Sequence, residues 1–295
     1  MENFQKSQKL NNVHYEIRGK VMNEACKMEK ENIDILKLNI GNPATFNFKA
    51  PNYVVSNITQ NMNLAEGYSE SKGIEEARIS IVKYFESKNI FNINSNDIYL
   101  GNGVSELILM SIQALLNPGD EILIPAPGLS KSDMIAGYRI GWMCISGNKE
   151  KAKDYIEGLN LLSSMRLCPN VPAQYAVTKA LENTEYIKTF LKPGGRIYNQ
   201  REIVYNALNN IDGVSVVKPK AAFYIFPKID INKFNIKSDE KFALDLLHQE
   251  KILIVHGTGL NWNEPDHFRL VYLPEEKILK TAMTRMNHFF ENYKQ

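Results

Sequence analysis

The chain has 295 residues, of which 44% are apolar and 23% charged, enough to bury a sizeable core and to divide into two domains. Lysine plus arginine number 35 against 33 aspartate plus glutamate, so the net charge of +2 argues against long-range attraction to nucleic acid or anionic lipid and makes any anion recognition local. The three cysteines, Cys26, Cys144 and Cys168, form no C-x-x-C pair, the first ten residues hold no apolar signal core, and no stretch approaches the ~20 apolar residues of a spanning helix; a cytoplasmic protein with reduced thiols, no metal site and no membrane association is expected.

In chain order, Tyr15, Val21, Met22 and Cys26 between charged residues predict an amphipathic helix over 14–29, followed by the apolar run 33–40 and a break at Gly41-Asn42-Pro43. Helices are predicted over 51–62 and 73–88, the second with Ile74, Ala77, Ile81, Tyr84 and Phe85 on one face. A short strand at 98–100 runs into Gly101-Asn102-Gly103, a helix over 104–116, the turn Asn117-Pro118-Gly119-Asp120 and a buried strand at 121–125. Strand, glycine turn, helix, turn and strand make a βαβ unit, so the fold class is α/β with a largely parallel central sheet.

Further on, 138–146 reads as a strand, with helices over 151–166 and 171–191. After Pro193-Gly194-Gly195 the texture changes to a helix over 196–211, strands at 214–217, 222–227 and 252–255, and a last helix over 275–293. Helices on a small, mostly antiparallel sheet predict a separate α+β domain with its boundary near residue 193.

Two features point to anion chemistry. Gly101-Asn102-Gly103-Val104-Ser105-Glu106 places a glycine turn directly before a helix, which offers unpaired backbone N–H groups and a positive dipole end; alone it also suits an ordinary tight turn. Gly128-Leu129-Ser130-Lys131 is followed, eight residues after the lysine, by Arg139 in Gly137-Tyr138-Arg139-Ile140-Gly141. Ser-Lys by itself is common, and the arginine spacing is what gives the tetrapeptide meaning. His256 has no cysteine or histidine at ligand spacing and reads as structural, and Tyr224 and Phe226 alternate as core positions of a strand.

The lysine block and its arginine resemble the Schiff-base signature of class I/II, fold-type I aminotransferases, closest to the alanine aminotransferases. The resemblance implies that Lys131 bonds the aldehyde of pyridoxal 5′-phosphate, that Arg139, Gly103, Val104 and Ser105 hold its phosphate, and that Ser130 belongs to the cofactor-binding residues. It implies further that Tyr68, in Gly67-Tyr68-Ser69, reaches the phosphate in a second subunit's site, so that a homodimer is expected. Gly41, in Leu38-Asn39-Ile40-Gly41-Asn42-Pro43, and Arg269, in Asp266-His267-Phe268-Arg269-Leu270, match the residues that bind the substrate carboxylate; an ion-pair role for Arg269 stays open on residue type alone. Cys168-Pro169-Asn170-Val171-Pro172 with Gln174 falls in the family's order. The implied reaction is amino transfer between L-alanine, or a similar amino acid, and 2-oxoglutarate, in a chain organised as an arm (1–45) packing on the small domain, a large cofactor domain (46–192) and a small domain (193–295).

One block of the pattern is missing. Only Ala126 and Pro127 separate the strand 121–125 from the lysine block, where the family has several β/α units of on the order of 30 residues each. The shortening is placed at 127/128, and it removes the asparagine that meets the cofactor's O3′ and the aspartate that pairs with its ring nitrogen. Asp120-Glu121 and Asp239-Glu240 lie in the wrong part of the pattern to replace that aspartate, and Met134 departs from the small residue usual three places after the lysine. A shortened sheet is expected to leave apolar helix faces uncovered, and activity is expected to be reduced or lost.

Overall fold

The computed structural model describes residues 5–8, 19–120 and 134–295. Lys131 and Ser130 of the lysine block, and the strand expected at 121–125, lie outside the described residues. In chain order, α1 (Lys20–Lys30) leads to β1 (Leu36–Lys37), α2 (Asn52–Gln60), α3 (Glu75–Glu86), β2 (Ile98–Gly101), α4 (Val104–Leu115) and β3 (Gly141–Cys144). Next come α5 (Lys153–Met165), α6 (Val171–Glu182), α7 (Glu185–Leu191), α8 (Arg196–Asn209), β4 (Val214–Ser215), β5 (Tyr224–Ile225) and β6 (Lys228–Ile229). The series closes with α9 (Asp239–Glu250), β7 (Ile252–Leu253), β8 (Val255–His256), β9 (Phe268–Val271) and α10 (Glu276–Asn292).

The described residues form two compact units, 43–120 with 134–188, and 19–42 with 189–295. In the first, β2 is buried on both faces, as its unbroken apolar run requires. Its alternation sends Ile98 and Leu100 into a cluster with Ala77 and Ile81 of α3 and Val177 of α6, and Tyr99 into a second cluster with Leu107, Met110 and Leu159 of α4 and α5. Asn170 caps α6, its side chain accepting from the Ala173 N–H at 3.1 Å, and Pro172 in the first turn suits the fixed φ of that position.

The described ladder of this unit is antiparallel, whereas the sequence predicts a largely parallel sheet; β2 pairs with β3, Gly101 opposite Gly141. Helix α4 is apolar around most of its circumference. It buries Leu107 and Met110 but leaves Val104, Ile108, Leu109 and Leu115 exposed, and Leu161 and Met165 of α5 are exposed as well, Met165 at 72%. The uncovered helix faces expected from the shortened sheet are therefore present.

In the second unit, β9 lies between β5 and β8 in an antiparallel three-stranded sheet, β4 pairs antiparallel with β6, and β1 pairs parallel with β7. Phe242 of α9 meets Phe268 of β9 and Phe289 and Phe290 of α10, ring centroids 5.5–5.7 Å apart, and this aromatic cluster ties the helices to the sheet.

Several boundaries differ from expectation. The predicted helix over 171–191 breaks into α6 and α7, because Asn183 takes a non-helical conformation with φ −125° and ψ 76°. Residues 136–138 form a 3-10 turn, and Arg139 is left-handed (φ 52°), so β3 starts only at Gly141. Helix α9 has no counterpart in the predicted elements, although Ser238 caps it through the Lys241 N–H at 3.2 Å and Phe242, Ala243, Leu246 and Leu247 form its buried stripe. Among the described residues, no helix is long and apolar enough to cross a membrane.

Candidate active site

The register of β2 and β3 explains why an arginine eight residues past the lysine belongs with a distant glycine turn. Pairing Gly101 with Gly141 leaves Arg139, two residues before Gly141, opposite Gly103, two residues beyond Gly101. The Arg139 guanidinium occupies that position: its Nη2 donates to the Asn102 carbonyl at 3.3 Å and lies 2.6 Å from where a Cβ on Gly103 would be. Gly103, at φ +83°, is the N-cap of α4, a backbone shape that favours glycine. Val104 and Ser105 follow in the first turn, where helix amides have no intrahelical acceptor. The result is an exposed helix N-terminus with a guanidinium beside it, suited to a phosphate.

The turn itself is held tightly. Glu106 accepts from the Asn102 backbone N–H at 2.7 Å and from its Nδ2 at 3.0 Å, while Asn102 Oδ1 accepts from the Asn170 N–H at 2.8 Å. Arg166, at the end of α5, donates through Nη1 to Glu106 at 2.7 Å and to the Leu100 carbonyl at 3.1 Å, and through Nη2 to the Ser71 carbonyl. Burial alone would raise the Glu106 pKa, but the Asn102 amide and Arg166 outweigh it and hold the carboxyl below its usual range. Neither Glu106 nor Arg166 is a predicted site residue: Glu106, four residues from Asn102, offers a local signal that goes unused, whereas the Arg166 contact across 60 residues has no local trace.

Tyr68 is 81% exposed on the loop before α3. That loop is anchored by Gln174, fully buried in α6, which donates to Ser69 Oγ and the Pro169 carbonyl, each at 3.1 Å, and accepts from the Ile74 N–H at 2.7 Å. Gln174, noted in the sequence for its place after Cys168-Pro169, thus fixes the base from which Tyr68 projects.

The second cluster lies in the other unit. Arg269, 4% exposed on β9, donates to the Asn39 carbonyl at 3.1 Å and stacks on the Tyr224 ring, 4.7 Å from its centroid. Gly41 packs so closely on the Phe223 and Tyr224 rings that a Cβ there would meet Phe223 at 2.5 Å and a Tyr224 ring carbon at 2.6 Å, on the same tyrosine that underlies Arg269. The structure therefore brings Gly41 and Arg269 together and corrects the reading of Tyr224 and Phe226 as core: both are only half-buried. Tyr224 is the floor of Arg269; burial pushes its phenol pKa up against the opposing pull of the guanidinium. His256 is buried within β8.

In one unit a helix end with an opposed arginine suits a phosphate, and in the other a buried strand arginine suits a carboxylate. The chain belongs to the class I and II aminotransferase family, which it matches over residues 33–129 and 128–285. It is 39% identical over 404 residues to the glutamate-pyruvate aminotransferase AlaA of Haemophilus influenzae, covering 100% of both chains, and 37% identical to the alanine aminotransferase of Mycobacterium tuberculosis, covering 99% of this chain and 94% of that one. The crystal structure of an Escherichia coli aminotransferase superposes with a TM-score of 0.94 at 36% identity over 100% of both chains. The alanine aminotransferase of Pyrococcus furiosus gives 0.90 at 26% identity, over 97% of this chain and 100% of that one.

The aligned length of 404 exceeds the chain's 295 residues by 109, so at least 109 positions have no counterpart here. The two matched segments meet at residues 128–129, the point at which the sequence is shortened.

Members of this family use pyridoxal phosphate, and the described residues fit one end of it. The start of α4 with Arg139 suits the phosphate. For the ring nitrogen, the buried carboxylates among the described residues are already engaged elsewhere. Asp97 pairs with Lys149 and accepts from the Asn94 N–H; Asp239 accepts from the Thr258 N–H and hydroxyl; Asp266 holds His267, Trp262 and Lys228. None is left over for a ring nitrogen.

Proposed function

We propose that this chain is a pyridoxal-phosphate aminotransferase acting between L-alanine, or a similar small amino acid, and 2-oxoglutarate, with turnover set back by the loss of the ring-nitrogen carboxylate. The observation that carries this reading is the Arg139 guanidinium facing Gly103 at the start of α4. The relatives named as alanine and glutamate-pyruvate aminotransferases supply the choice of substrates.

When bound, the cofactor supplies an electron sink for charge at the substrate α-carbon, most effective while its ring nitrogen stays protonated. The Val104 and Ser105 amides would present donors to the phosphate and Arg139 the balancing charge, while Gly103, whose own N–H is bound to the Gly101 carbonyl, would give the close backbone approach and Ser130 would lie beside the cofactor. Lys131 would hold the cofactor through its side-chain amine, and the same amine would move a proton at the substrate α-carbon. The Gly41 amide and Arg269 orient the α-carboxylate, and Tyr68, being exposed, is available to complete the site of a second copy in a homodimer.

The test is an absorbance spectrum of the purified chain mixed with pyridoxal phosphate, followed by borohydride reduction and peptide mapping. A pH-sensitive band fixed onto Lys131, abolished in Lys131→Ala and discharged slowly by alanine, is the expected result. Scattered labelling of surface lysines would overturn it. A second reading, a non-catalytic phosphate-anchored binding protein or dimer partner, is favoured by the 109 missing positions, and it predicts the Lys131 band without discharge by alanine.

A further inference from the structure

A carboxylate in the first turn of an anion-binding helix is normally adverse to its anion, since two negative charges then share one positive dipole end. Glu106 is such a carboxylate, the third residue of α4. Its oxygens are fully committed to the neighbourhood of the anion site: one takes the Asn102 backbone N–H at 2.7 Å and the Arg166 Nη1 at 2.7 Å, the other the Asn102 side-chain amide at 3.0 Å. Asn102 in turn receives Arg139 on its carbonyl. The carboxylate thus sets the shape of the turn on which the phosphate arginine rests.

Arg166 does two things at once. It cancels the Glu106 charge from a partly buried position, its side chain 14% exposed, and it ties the turn to β2 through Leu100 and to the loop of Tyr68 through Ser71. We propose that Glu106 and Arg166 are a positioning pair for the phosphate: Glu106 fixes the Asn102 turn beneath Arg139, and Arg166 neutralises that carboxylate so that the helix end still accepts a dianion. This rests on the phosphate reading of the α4 N-terminus given above, and it adds a charge balance to that site.

The experiment uses isothermal titration of the full chain with pyridoxal phosphate and with pyridoxal, the ratio of the two dissociation constants reporting phosphate recognition alone. In Arg166→Met the phosphate preference is expected to fall by about tenfold, the scale of one uncompensated charge at partly screened range. Pyridoxal binding should hardly change. In the double variant Arg166→Met, Glu106→Gln most of the preference is expected to return, because the uncompensated charge is gone while an acceptor for Asn102 remains.

A purely structural role predicts the reverse order, with the double variant at least as poor as Arg166→Met, and that result overturns the pair. So does a ratio unchanged in Arg166→Met. If Arg166→Met does not melt cooperatively, Glu106→Gln alone decides: retained or increased phosphate preference supports charge balancing, and a fall in preference overturns it. A wild-type chain that binds both compounds equally would instead refute the underlying phosphate site, an outcome distinct from wild-type preference that no variant alters.

Discussion

Arg139 and Gly103 sit opposite each other because the β2–β3 register pairs Gly101 with Gly141, and the guanidinium fills the space a Gly103 side chain would take, 2.6 Å from its Cβ position. Gly103→Ala is therefore expected to do two kinds of damage. The backbone at φ 83° and ψ 159° is nearly exclusive to glycine and costs about 1–3 kcal/mol for a residue with a Cβ, and the methyl displaces Arg139. Thermal melts should show the first loss, and titration with pyridoxal phosphate the second; an unchanged affinity would mean that Arg139 does not serve the phosphate.

Arg139 is exposed, so its replacement separates binding from folding. Arg139→Met should alter stability by no more than about 0.5 kcal/mol, as for most surface positions. It should weaken pyridoxal phosphate binding by roughly tenfold or more, since it removes a charge-assisted partner. Equal losses in both measurements would return Arg139 to a structural part.

The Gly41, Tyr224 and Arg269 cluster makes a parallel prediction in the other unit. Gly41→Ala forces the methyl against Phe223 and Tyr224, so Tyr224 must move from beneath Arg269. A stability loss of about 1–3 kcal/mol is expected for such overpacking. Weaker binding of 2-oxoglutarate should accompany it in calorimetry, and a similar weakening is expected for Arg269→Met. If Arg269→Met left carboxylate binding intact while lowering stability, the arginine would be a structural residue only.

Asp266 predicts an acid limit to the stability of its unit. Burial alone would raise its pKa, but hydrogen bonds from His267, Trp262 and Lys228 prevail and hold it below the usual carboxylate value. A depressed folded-state pKa means that the unfolded chain binds the proton more readily. The stabilisation is then complete above the unfolded value, near pH 4, and is lost as pH falls through the folded one. Trp262 donates to Asp266 Oδ1 at 2.9 Å, so its fluorescence should follow this acid transition. In Asp266→Asn that pH-dependent step should vanish; its persistence would assign the transition to other carboxylates.

The exposed apolar faces of α4 and α5 predict dye binding and self-association. Leu109→Lys and Leu161→Lys, on exposed positions, should reduce both without lowering the melting temperature. Light scattering and a hydrophobic dye give the readout, and unchanged scattering would show that these faces do not drive association.

Much of this architecture was legible along the chain because its signals are local. The glycine turn before α4, the amphipathic stripe of α3 and the span of α10 each lie within a few turns of chain, where period and turn chemistry act directly. The shortening at 127/128 was legible for the same reason: both flanks keep their motifs, and the matched segments meet at 128–129. Helix α9 escaped although its cap and stripe are local signals. The break between α6 and α7 rests on the conformation of Asn183 alone.

The sequence by itself thus determined the family, and it named the candidate phosphate and carboxylate ligands. Tertiary structure alone decided how those ligands are supported. Register placed Arg139 over Gly103; a contact across 60 residues joined Arg166 to Glu106; and Tyr224, on a neighbouring strand, became the floor of Arg269. Such support depends on strand pairing, on an ion pair closing to 2.7 Å and on a guanidinium stacking 4.7 Å from a ring, quantities that residue order does not carry until the chain has folded.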